Sequence, residues 1–144
     1  MAQTSKSDIR FLRVHRLSQP MRAQLATIDA VPGILGWMVG NKAGDALFAS
    51  LPAQLDQRML DAVGNHIFRA SSHSIEGEPA AELEFAFTQG ELMARNIGSG
   101  WLVVFCEPRA DRAMARVTLS VTAAALSGDR ALQGDLNSAQ RDAH

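Results

Sequence analysis

Two apolar runs restrict this chain more than any other feature. They are Ile34 to Val39 (Ile-Leu-Gly-Trp-Met-Val) and Trp101 to Cys106 (Trp-Leu-Val-Val-Phe-Cys). Each is too short for a helix between its flanking turn signals, and neither alternates between apolar and polar positions. Such runs read as strands buried on both faces. Both should therefore lie centrally in one sheet.

The remaining pattern fills in around them. Pro20 suits the first turn of a helix, and Met21, Leu25 and Ile28 recur at helical spacing, so a helix is expected over about Pro20 to Asp29. Val31-Pro32-Gly33 stops it. Asn41 to Asp45 reads as a hairpin turn and Ala46 to Ser50 as the returning strand. A long helix is expected over Ala53 to Ala70, then a polar loop to Pro79. Glu82 to Thr88 alternates, with Leu83, Phe85 and Phe87 on one face, as an edge strand does. Gln89-Gly90 and Gly98-Ser99-Gly100 turn the chain through two further strands. A last helix, Asp111 to Leu126, places Met114, Val117 and Val121 on one face and Ala115, Leu119 and Leu126 on a second. The first stripe is the expected core face, and the second is expected to pack beside the first helix. The order is α-β-β-α-β-β-β-α, and the short turns between successive strands imply antiparallel pairing. Three regions result: an Arg-rich arm over 1–19, a domain over 20–128, and a polar tail over 129–144 expected to be flexible. Within the arm, Asp8 to Leu17 fits either a short helix or a strand.

Composition excludes several classes of function. The 144 residues fit one domain with a core large enough to need no disulfide or metal. A net charge of −1 gives no field that would draw the protein to nucleic acid or anionic lipid. Arg10, Arg13, His15 and Arg16 form a local basic patch, read as a helix completing the fold or an arm over a neighbour in preference to a nucleic-acid or membrane-surface contact. A single cysteine, Cys106, forms no intrachain disulfide, and no apolar stretch approaches the roughly 18 residues of a membrane span. The expected location is the cytoplasm.

Signatures of chemistry are missing as well. No glycine-rich segment carries the lysine and hydroxyl of a phosphate loop, and no serine occupies a strand-to-helix elbow. Cys106 ends an apolar strand, as a small buried hydrophobe does. His15, His66, His73 and His144 have no metal-ligand spacing, and His66 falls within the apolar arc of the middle helix. No catalytic residue, metal or cofactor is expected.

What stands out is surplus apolar surface. In the helix over Ala53 to Ala70, Leu55, Met59, Ala62, Val63 and Ala70 make a core-facing arc. Leu60, Gly64, Ile67 and Phe68 add a second stripe beyond it, and a mid-helix glycine lets another helix approach closely. The Leu83, Phe85 and Phe87 strand is an aggregation hazard unless a second chain completes it or the outward Glu82 and Glu84 protect it. These seven residues are the expected homodimer interface. The alternative for the helix stripe is coverage by a neighbouring loop.

The segments "LATIDAVPGILGWMVGNKAGDALFAS" (Leu25 to Ser50) and "ELMARNIGSGWLVVFCEPRADRAMARVTL" (Glu91 to Leu119) resemble the opening and closing patterns of Roadblock/dynein light-chain domains. The similarity covers about Pro20 to Ser127 and is one of turns and apolar runs. It implies a five-stranded antiparallel sheet with the middle helix on one face and the other two helices opposite. It also implies dimers that join edge strands and middle helices, and a role in regulating or scaffolding a small Ras-like GTPase or a signalling or motility complex. The competing reading is a profilin-like or PAS-like domain that senses a small ligand.

Overall fold

The computed structural model describes residues 9–12, 17–52, 57–72, 74–75, 78–79, 82–87 and 90–142. Its strands are β1 (Ile9–Leu12), β2 (Ile34–Asn41), β3 (Ala46–Pro52), β4 (Ser74–Ile75), β5 (Glu78–Pro79), β6 (Glu82–Phe87), β7 (Gly90–Asn96) and β8 (Gly100–Cys106). The helices are α1 (Gln19–Asp29), α2 (Gln57–Ser72), α3 (Arg112–Ser127) and α4 (Arg130–Asp142).

Six strands form one antiparallel sheet in the order β1-β3-β2-β8-β7-β6, and β4 and β5 pair as a separate short ribbon. The doubly apolar strands β2 and β8 are neighbours at its centre, and the alternating strand β6 is an edge. The five expected strands are all present. The N-terminal segment supplies a sixth, resolving the choice between helix and strand for Ile9–Leu12.

The central strands divide the interior in two. On one face Trp37, Val39, Met93, Leu102, Val104 and Cys106 pack with Leu25 and Ile28 of α1 and Leu119 and Leu126 of α3. On the other, Met38, Leu92, Trp101, Val103 and Phe105 pack with Leu60 and Val63 of α2. Capping begins the helices where polar side chains allow it. Ser18 accepts from the Met21 N–H at 3.3 Å and Asp111 from the Met114 N–H at 3.0 Å.

Three expectations are corrected. The first concerns the tail. Residues 130–142 form α4, begun by Asp129, which accepts from the Leu132 N–H at 2.9 Å. Leu132 and Leu136 are buried. Gln133 fastens the helix by donating to the carbonyls of Ile97 (2.8 Å) and Leu126 (3.1 Å) and accepting from the Ser99 N–H (2.8 Å).

The second concerns α3. Ala115, Leu119, Ala123 and Leu126 form its buried face, while Met114, Val117 and Val121 are 49%, 64% and 59% exposed. Small alanines let the helix lie close to α1 and the sheet, which turns the bulkier stripe outward.

The third concerns α2, whose buried side is Leu60, Val63 and Gly64, with Met59 half-buried and Ala62 and His66 exposed. The cause is a glycine-to-glycine contact. Asn41 Oδ1 accepts from the N–H groups of Ala43 and Asp45, both at 3.0 Å, and holds the β2–β3 turn. There Gly44 adopts φ +94, and its carbonyl oxygen would lie 2.4 Å from a Cβ at Gly64. Leu55 lies outside the described residues, as does the side chain of Ala70.

The two mid-helix glycines should respond oppositely to alanine. Gly134→Ala meets nothing within 4 Å, so it gains up to about 1 kcal/mol of helix propensity and raises Tm. Gly64→Ala forces backbone against backbone and should cost about 1–3 kcal/mol, a fall of several degrees in a thermal melt. Leu136→Ala should cost about 2–5 kcal/mol. A melt unchanged by Leu136→Ala would refute the docking of α4.

Candidate functional site

The surface that remains apolar or open gathers where β6 meets α3. Among the described residues no strand lies beyond β6. Strand alternation sends Leu83 toward the α2 face, where it is half-buried, and Glu82 and Glu84 toward α3. A surface groove of about 300 Å³ runs between this strand and the helix. Its floor is Met93 and Leu119. Its walls include Glu82, Glu84, Arg95, Arg116, Val117, Ser120 and Val121. Val117 and Val121 thus belong both to the groove wall and to the exposed α3 stripe.

The charges along the groove are matched in pairs. Arg116 grips Glu84 with two hydrogen bonds, Nε to Oε2 at 2.9 Å and Nη2 to Oε1 at 3.0 Å. Arg95 Nη1 donates at 2.8 Å to both Glu82 and the Ser120 hydroxyl. Arg112 pairs with Glu91. Arg116 holds the Glu84 carboxyl below the usual carboxylate range, chiefly through its hydrogen bonds. The carboxylates of β6 are therefore neutralised by their own chain.

Of the expected dimer residues, Leu60 and Gly64 face inward, so they do not form an open stripe on α2. Leu83 sits on the free edge strand. The side chains of Ile67, Phe68, Phe85 and Phe87 lie outside the described residues, although α2 and β6 carry their backbones. Arg95, Arg112, Arg116 and Ser120 were not singled out from sequence. The only signal was Arg112 and Arg116 one helical turn apart, and it becomes meaningful only once β6 and β7 lie beneath them.

Burial pushes the Cys106 thiol up to about 11, with Glu91 adding to the shift. Among the described residues no group of three or more histidines, cysteines, aspartates or glutamates gathers to hold a metal ion. No helix among them is long and apolar enough to cross a membrane.

A sheet ordered β3-β2-β8-β7-β6, with α2 on one face and α1 and α3 on the other, is a Roadblock-type fold. Solved structures that the chain is similar to include three with this fold. The Roadblock/LC7 domain from Streptomyces avermitilis superposes with TM-score 0.52 at 15% identity, over 76% of this chain and 93% of that one. MglC from Myxococcus xanthus gives 0.56 at 17%, over 74% and 96%. MglB in a tetrameric arrangement gives 0.60 at 11%, over 83% and 94%. Neither a protein-family model nor a curated protein matches the sequence. At these identities the likeness is one of fold.

Two measurements check the site. Glu84 should titrate below an ordinary glutamate in a carbon-detected NMR titration, and Arg116→Ala should return it to the ordinary range. Because the folded value is lowered, the pair's support is complete above the ordinary range and fades as pH falls through the lowered one. Cys106 should resist thiol reagents at pH 8 until the protein unfolds. The stability tied to its protonated thiol is complete below its ordinary value of 9.0 and declines as pH rises toward about 11.

Proposed function

We infer that this protein is a non-catalytic, homodimeric binding module of the cytoplasm, a regulator or scaffold whose partner is a small Ras-like GTPase or another component of a signalling or motility complex. One observation carries the reading: a free, charge-neutralised edge strand beside an exposed apolar helix stripe. A buried core explains neither. Edge strands with large apolar residues invite pairing, and contiguous exposed apolar side chains mark interaction surfaces.

In this reading β6 pairs with β6 of a second copy, bringing Leu83, Phe85 and Phe87 to the seam, with Ile67 and Phe68 of α2 beside them. Leu60 and Gly64 support that seam from within the subunit. Met114, Val117 and Val121 face the other partner. The Roadblock/LC7 likeness supports the module, and the tetrameric arrangement of MglB shows that a protein of this fold self-associates. Any effect on GTP hydrolysis would come from positioning the GTPase's own groups.

Sedimentation should give twice the single-chain mass, and Phe68→Glu with Phe85→Glu should return a folded single chain. Val117→Glu with Val121→Glu should keep the fold and the dimer while losing the partner. A pull-down from the native cytoplasm, followed by GTP-turnover assays on any GTPase recovered, tests the rest. Recovery of metabolic enzymes alone would defeat the GTPase proposal. Thermal stabilisation by metabolites would favour the small-ligand reading.

A further inference from the structure

We propose that β1 is a guard strand: it closes the β3 border, leaving β6, among the described residues, as the only border open to sheet addition and limiting strand-paired assembly to two copies.

Without β1 the sheet would end at β3. That strand is seven residues long and carries Leu47, Phe48, Ala49 and Leu51. A long apolar border of this kind is a template for further chains. β1 lies antiparallel against its C-terminal half, from Ile9 opposite Pro52 to Leu12 opposite Ala49. Toward the N-terminal half of β3, a register shift between Val39 and Gly40 interrupts the β2–β3 ladder. Irregularities of that kind twist a border out of line. Strand and bulge together leave little of β3 to pair.

Adding a strand makes a new border, and the character of this one matters. β1 has only four residues, includes Arg10, and runs on toward Arg13 and Arg16 in sequence. Very short edge strands that carry a charge discourage the addition of another strand. The opposite border is different. β6 has six residues, and Arg95 and Arg116 neutralise Glu82 and Glu84. One copy therefore offers one joinable border and one blunted border. A single self-complementary border closes on itself as a two-fold pair, whereas two open borders permit an unlimited row.

The pairing half of this inference rests on the proposed β6 dimer, but the guarding half does not. The test is sedimentation over a range of protein concentration, with thermal melts on the same samples. Arg10→Pro with Phe11→Pro in the full chain removes a ladder N–H whichever of the two faces β3. Deletion of residues 1–16 removes the strand altogether. The full chain should stop at two copies, while both variants should melt cooperatively and grow into larger species as concentration rises. A full chain that remains a single copy would defeat the β6 dimer alone. The guard then still requires the variants to associate further than the full chain does. Variants of the same size as the full chain at every concentration would overturn the guard. So would loss of cooperative melting in both, because β1 would then be part of the core.

Discussion

The antiparallel ladder between β2 and β8, from Ile34 opposite Cys106 to Asn41 opposite Gly100, is the contact on which the rest of this molecule depends. Both strands are apolar on both faces, so neither is stable until something covers each side. That requirement recruits α2 to one face and α1, α3 and α4 to the other. Close approach at its end demands glycine: a Cβ at Gly100 would lie 2.0 Å from the Gly40 carbonyl oxygen. The ladder also places β3 and β7 as flanks, and so decides which strands are left at the borders.

Those borders carry the proposed function. Conformational entropy makes ordering costly, and core burial is what offsets it. Apolar surface that stays outside after the core is complete therefore points to a partner. Among the described residues it is the outward stripe of α3, Met114, Val117 and Val121, with a groove between that helix and β6. Paired arginines and glutamates line that groove, so the surface is neutral as well as apolar. Neutral apolar surface favours protein contact over attraction of nucleic acid or anionic lipid, in line with a chain whose net charge is −1.

The strands were legible because a strand's signal is local. Alternation in Glu82–Phe87, unbroken apolarity in β2 and β8, and glycine turns between them depend on neighbours a few residues apart. Helix positions were legible for the same reason. Helix orientation was not. On α3 two apolar stripes compete, and the choice falls to Ala115 and Ala123 because α1 lies close above them. On α2, Gly64 reads in sequence as an invitation to a partner helix, yet it is filled by Gly44 of the protein's own turn. The last helix was obscured by its polar composition. Its cues, Asp129 as a cap and Leu132 and Leu136 one turn apart, carry weight only once an apolar surface waits beneath them.

Sequence alone therefore determined the order of the main elements from α1 to α3, the central pair and the place of β6 as an edge strand. Each follows from short-range periodicity or residue chemistry. Tertiary structure alone decided which helix faces turn outward, that the N-terminal segment adds a sixth strand, and that the β6 carboxylates are neutralised by Arg95 and Arg116. These outcomes depend on groups far apart in the chain competing for the same surface, and no local pattern records which of them prevails.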